Sequence, residues 1–317
     1  MPRGVASTCA PLAPWSEQLY LWSLVSSRSH ALLRHWLRHY RLQGIRLESN
    51  AELIIEGSGE ELLYTQKALH QEGVSQYTVY SDLRNTSMIV NGVSIVGVNA
   101  WLRAGVNDFL SRSPPNAWLI WADVDEFFTW PCDIQLHLGT GHHVAVCGKM
   151  QDRVSANWEL AKVALNQNIT TQFPLCARIR RDITNGLAIK ITLLRTRVDG
   201  VIPKFSTAHT AMANSSRGVR VIGGYHRQNC FLPSPMQFAH YSTTDKAKEL
   251  AEVKKEDFLS RDGPAHAGSY VTFSKLFQNG YFTESARRRI QPVMEPCQSG
   301  CDECSAGVSS LQYQTGR

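Results

Sequence analysis

An uninterrupted apolar run, Ala117-Trp118-Leu119-Ile120-Trp121-Ala122, leads directly into Asp123-Val124-Asp125-Glu126-Phe127-Phe128. If the chain stays extended past the run, Asp123 and Asp125 at i and i+2 share one side and Glu126 points the opposite way. Two carboxylates on one side can close on a hard cation, Mg²⁺ or Mn²⁺, which is typically held by one or two protein carboxylates plus substrate phosphate oxygens. A diphosphate-bearing substrate is then the natural partner. The plainer alternative is a solvated acidic turn, which would not need Trp and Phe packed so tightly on both sides of the acids. Clustered carboxylates repel one another until a cation joins them, so loss of Asp125 is expected to spare the metal-free fold, whereas Trp121 belongs to the core. Lys190 and Arg195 alternate with apolar residues and could reach phosphate, or could occupy the wet face of a half-buried strand.

Other spacings carry less. His35 and His39 have the i, i+4 spacing of helical zinc ligands, but Trp36 stands where a zinc protease needs Glu, and surface histidines are the better reading. Cys297, Cys301 and Cys304 form C-x₃-C-x₂-C, a spacing that can ligate an iron–sulfur cluster; in a tail with no barrel behind it, a disulfide, zinc or no role fits better. Phosphatases that form an aspartyl phosphate also carry Asp-x-Asp, but near the N-terminus and with Thr or Val where this chain has Phe127.

The elements that must position the acids follow from periodicity. A strand is predicted at Leu19 to Val25, then an amphipathic helix from Ala31 to Leu42 that stops at Gly44, with Leu33, Trp36, Leu37 and Tyr40 on one face and Arg34, Arg38 and Arg41 elsewhere. A strand at Glu52 to Ile55, a helix at about Glu60 to His70 and a strand at Gln76 to Tyr80 complete a βαβαβ alternation, the sign of a parallel sheet. A helix across Val98 to Leu110 precedes the apolar run, which reads as a strand covered on both faces. Ligands of such sheets bind at the carboxyl ends of strands, where the acids stand. Further on, strands are predicted at Phe173 to Cys176, Leu187 to Leu194, Val219 to Ile222 and Met236 to Tyr241, and helices at Lys246 to Leu259 and Tyr270 to Phe277. The expectation is an α/β, Rossmann-like, mainly parallel sheet flanked by helices, with a mixed second half. Residues 1–17 and 291–317 read as tails.

Composition fits this picture. Of 317 residues 43% are hydrophobic and 19% charged, enough for a sizeable core and unlike a disordered or fibrous chain. A net charge of +6, carried in short basic runs without interleaved aromatics, suits anionic small molecules and gives no support to a nucleic-acid polymer as partner. No window approaches ~18 uninterrupted apolar residues, and the first fifteen lack the basic-then-apolar order of a signal peptide, so no transmembrane segment and a soluble chain are expected. The eight cysteines leave buried thiols and one or two disulfides equally open. The sequons at Asn85, Asn168 and Asn214 would permit glycosylation in a secretory lumen.

The stretch Trp118 to Phe128 resembles the acidic motif of glycosyltransferases of GT-A fold, especially family 92 and family 2-like members in which it continues as Asp-x-Asp-Glu-Phe. His30 to Ile45 is similar to that family's first helix, and Gln172 to Cys176 through Lys190 to Arg195 to a downstream block, so the resemblance spans about residues 19 to 290. It implies a GT-A-like domain over 18–290, with a donor half at 18–130 and an acceptor half at 131–290. The implied activity is transfer of a hexose, with inversion, from a UDP- or GDP-sugar to a hydroxyl of a glycan, protein or lipid, assisted by Mn²⁺ or Mg²⁺. Asp125, Asp123 and the late His240, in Phe238-Ala239-His240-Tyr241, are then metal ligands, although Ser242 and Thr243 replace the basic and Trp residues that often follow that His. Were His240 elsewhere, His209 or His226 would be the substitutes; if it is a ligand, its imidazole should lie within ~5 to 6 Å of Asp125 before metal binds. Asp123, Lys190 and Arg28 are expected to contact the donor, Arg28 from a loop where relatives often carry an acid. Asp152 is expected to be the general base, with an ion pair to its neighbour Arg153 as the plain alternative. A catalytically silent sugar-binding relative and a metal-dependent phosphate-ester hydrolase are the alternatives.

Overall fold

A computed structural model describes residues 17–83, 87–90, 93–96, 98–130, 134, 138, 143–177, 179, 189–207, 210–216, 218–223, 230, 237–241, 244, 245, 247 and 273–290. The predicted helix at 246–259 (save Ala247), His209, His226 and both tails (save Glu17) fall outside them.

The first half follows the predicted alternation. Strand β1 (Leu19–Ser26) leads through a 3-10 turn at Ser27–Ser29 into helix α1 (His30–Leu42), and a helical turn, α2 (Leu47–Asn50), precedes β2 (Ala51–Glu56). Helix α3 (Gly59–Gln71) and β3 (Tyr77–Tyr80) follow, then a hairpin of β4 (Ser87–Val90) and β5 (Val93–Val96), helix α4 (Val98–Arg112) and β6 (Trp118–Trp121). The second half is strand-rich: β7 (Glu126–Phe127), β8 (Ala145–Val154), β9 (Leu175–Ala177), β10 (Ile189–Arg195), β11 (Lys204–Thr207), β12 (Thr210–Ser215), β13 (Gly218–Gly223), β14 (Gln237–His240), β15 (Phe277–Gln278) and β16 (Tyr281–Phe282).

Among the described residues the main sheet runs β3-β2-β1-β6-β10-β8-β14-β7, with β9 paired to the end of β8. Strands β3, β2, β1 and β6 are mutually parallel; β10 joins antiparallel to both β6 and β8. The α/β sheet with a parallel first half and a mixed second half is therefore present. Alternation along β1 explains the two layers. Leu19, Leu21 and Val25 face a core with Leu33, Trp36, Leu37 and Tyr40 of α1. Trp22 faces the other side, with Val106, Phe109 and Leu110 of α4 and with Phe205, Ala211, Ala213 and Ile222 of the β11–β12–β13 sheet. Helix α4 comes so close that a Cβ on Gly105 would sit 2.4 Å from Cζ2 of Trp22.

Several sequence expectations are revised. The strand predicted at Phe173 to Cys176 is present but begins two residues later, as β9, after a helical turn at Ile169–Gln172, and the helix predicted at Tyr270 to Phe277 gives way at Phe277 to β15, which pairs with β16. His35 and His39 are not solvated: each ring holds a backbone carbonyl, Ala164 at 3.0 Å and Phe128 at 2.7 Å. Burial lowers His39 to about 4, against the pull of the Phe128 carbonyl. Off the apolar face of α1, Arg34, Arg38 and Arg41 all converge on the buried Glu72 just past α3.

Candidate functional site

The apolar run ends in the sheet as predicted: Trp118, Leu119, Ile120 and Trp121 are all buried in β6, between β1 and β10. Past Trp121 the chain does not stay extended. Glu126 N–H donates to the Asp123 carbonyl at 2.9 Å, closing a tight turn. The turn is clamped from outside: Ser23 Oγ donates to the Ala122 carbonyl at 2.6 Å, Tyr40 Oη donates to the Glu126 carbonyl at 3.1 Å, and Tyr241 N–H donates to the Asp125 carbonyl at 2.7 Å.

This turn corrects the expectation for Glu126, which folds back under Asp123 instead of pointing away. Its carboxylate accepts the Asp123 N–H at 3.0 Å and a close charge-assisted bond from Lys190 Nζ, which also lies 3.3 Å from Asp123 Oδ2. Glu126 and Lys190 are both buried, while Asp123 is 44% exposed. Lys190, expected at a phosphate, is thus the internal counter-charge of the acidic turn, with its ammonium also over the Trp121 ring at 5.1 Å. Burial alone would lower its pKa, but Asp123 and Glu126 outweigh it and the group is raised, so it stays charged. Burial pushes the Glu126 carboxyl up, against the pull of Lys190.

Strand β14 supplies the other component. It lies between β8, in parallel, and β7, with His240 beside Asp152 in one register and Glu126 in the other. His240 Nε2 stands 3.3 Å from Asp125 Oδ2, inside the range expected of a shared site. Its Nδ1–H donates to Asp152 Oδ1 at 2.6 Å. Burial pulls the imidazolium down, but Asp125 and Asp152 more than offset it and raise it to about 9. The acids therefore do not stand bare without metal, as the expectation of a self-repelling cluster assumed. Lys190 and His240 already lie between them.

Asp152, expected as general base, has no exposed surface and is committed to His240. Arg28 occupies the turn after β1, at the same carboxyl edge of the parallel strands as Asp123. Arg195 lies on β10 with its guanidinium over the Trp118 ring at 5.8 Å. The sequence reasoning missed Tyr40 and Ser23 as clamps of the turn and Glu126 as its cap. Of these, only Glu126 had a local signal, its place three residues after Asp123.

Among the described residues no group of three His, Cys, Asp or Glu side chains could hold a metal ion. The donor set nonetheless fits a cation that takes its remaining ligands from a substrate. A carboxylate oxygen and an imidazole nitrogen converge, and the far ring nitrogen is fixed by a buried carboxylate, the arrangement that orients a histidine ligand. No described helix is long and apolar enough to cross a membrane.

No protein-family profile matches the chain, and no curated protein matches it. Among solved structures it is similar to S. aureus TarS 1-349, at 10% identity over 81% of this chain and 71% of that one, with a TM-score of 0.31. It is also similar to a 4-diphosphocytidyl-2C-methyl-D-erythritol synthase, at 10% identity over 57% of this chain and 76% of that one, TM-score 0.28. A third is the Helicobacter pylori mannose-6-phosphate isomerase, at 9% identity over 71% of this chain and 97% of that one, TM-score 0.26. Likenesses this weak carry no weight for the chemistry.

Proposed function

We propose that the chain is a metal-dependent glycosyltransferase that moves a sugar from a UDP- or GDP-sugar to a hydroxyl of a glycan, protein or lipid. The observation that carries the reading is the line Asp125–His240–Asp152 at the carboxyl end of β6, one buried carboxylate orienting an imidazole toward a more exposed one. Asp125 and His240 Nε2 would hold Mn²⁺ or Mg²⁺, which supplies charge neutralisation on the leaving diphosphate. Asp152 keeps the proton on Nδ1 and so leaves Nε2 as the ligating nitrogen. Lys190 cancels the charge of Glu126, so that the turn presents Asp125 and the outer edge of Asp123 to the donor. Arg28, on the same sheet edge, would contact the anionic donor.

Asp152 now acts through His240, as a positioning residue. That same burial of Asp152 favours a second reading, a silent relative that binds the donor without turning it over. A panel of nucleotide sugars with Mn²⁺ separates the two. Metal-dependent thermal shift with release of nucleoside diphosphate is the expected result, and Asp125→Ala should abolish both signals. A shift without release supports the silent relative; phosphate-ester hydrolysis without any sugar preference supports a hydrolase instead.

A further inference from the structure

Cysteines place the chain in a chemical environment. Cys147, buried on β8, is bonded to Cys230, 83 residues on, with a Cα–Cα distance of 5.6 Å. Cys176, buried on β9, is also in a disulfide. Disulfides in the body of a chain this size persist where the surroundings are oxidising, as in a secretory lumen or outside the cell.

In that environment the triplet Asn168-Ile169-Thr170 takes on meaning. Asn168 is exposed and caps the helical turn Ile169–Gln172. Its Oδ1 accepts both the Thr170 N–H, at 2.9 Å, and the Thr170 hydroxyl, at 2.8 Å. All the cap bonding uses the oxygen; among the described residues nothing hydrogen-bonds Nδ2. Substitution on nitrogen leaves the amide oxygen an acceptor, so a group attached there preserves the cap. The sequon at Asn214 differs, because its asparagine is in the β12–β13 ladder opposite Val219. Asn85 lies outside the described residues.

We propose that Asn168 carries an N-linked oligosaccharide, acquired in an oxidising, glycosylating lumen. The donor is an oligosaccharide carried on a lipid diphosphate, transferred by an enzyme of that compartment. Asn168 Nδ2 forms a bond to sugar C1 as the C1–O bond to the diphosphate breaks. The diphosphate leaves with the electron pair, and the nitrogen gives up one proton to a base of that enzyme.

The test uses the full-length natural protein, purified from its source and digested under non-reducing conditions. Mass spectrometry should find the Asn168 peptide only after peptide:N-glycosidase treatment, with Asn168 converted to Asp, and should find Cys147 and Cys230 linked. Expressed in the same cells, Asn168→Asp, which keeps a capping oxygen, and Thr170→Ala should each remove one glycan's worth of apparent mass on a gel, and Thr170→Ser should retain it. Equal melting temperatures of Asn168→Asp and enzymatically deglycosylated protein would show that the variant folds. An unmodified Asn168 in protein whose disulfide is formed would overturn the glycan assignment. Free thiols at Cys147 and Cys230 would overturn the compartment on which it rests.

Discussion

Lys190 is the residue that lets the acidic turn fold without a cation. Buried between Asp123 and Glu126, it cannot be removed without stranding a carboxylate in the core. Lys190→Met is expected to cost about 3 to 5 kcal/mol in urea denaturation, and the further change Glu126→Gln should recover most of that. His240 makes the site sensitive to pH. Its folded pKa, raised to about 9 from an ordinary value near 6.5, means that its stabilising charge is fully present below ~6.5 and is lost as pH rises through about 9. Metal-free protein should therefore lose stability on that rise, and Asp152→Asn should blunt the loss. Metal binding at Nε2 must displace the same proton. Apparent Mn²⁺ affinity, followed by titration calorimetry, should improve about tenfold per pH unit between pH 7 and 8.5; a flat profile would exclude His240 as a ligand. That Asp125 and His240 would come together was legible, because residue type and chain order mark both. The partnerships of Lys190 and Asp152 were not, since they depend on which strands lie side by side, and no local pattern states that Gln237–His240 runs beside Lys149–Asp152.

Among the elements, those whose apolar residues recur at a clear period were readable, β1, α1, β2, α3 and α4, and so was β6 from its unbroken apolar run. Strand β8 was not, although it is the longest described strand. Gly148, Lys149, Gln151 and Asp152 interrupt its apolar residues, and two of these polar side chains, Gln151 and Asp152, are buried, Asp152 against His240. The hairpin β4–β5 was overlooked despite the Asn91-Gly92 pair between its strands, a dipeptide that favours tight turns. Helix α4 offers a test of packing against propensity. Replacing a mid-helix glycine by alanine ordinarily gains up to about 1 kcal/mol. At Gly105 the new methyl would meet the ring of Trp22, which is wholly buried. Overpacking of this kind costs about 1 to 3 kcal/mol, so Gly105→Ala should lower the unfolding midpoint, where propensity alone would raise it.

Across the whole molecule, one sheet carries both the parallel strands that present the acidic turn and the antiparallel strands that complete the site. The Cys147–Cys230 bond reinforces the second part, tying β8 to the chain ahead of β14. Cys147→Ala with Cys230→Ala should cost about 2 to 5 kcal/mol of stability by chemical denaturation, with a matching loss of protection from amide exchange along β14. The position of β14 also sets an order of events. It fills the gap between β8 and β7, yet of the described strands of that sheet it is the last to be synthesised. While it is missing, both neighbours offer open edges, the kind of surface through which incomplete chains aggregate. A ribosome that stalls before residue 237 therefore releases a polypeptide that holds every carboxylate of the site, lacks the imidazole that joins them, and depends on chaperones to keep its unfinished sheet from pairing with another.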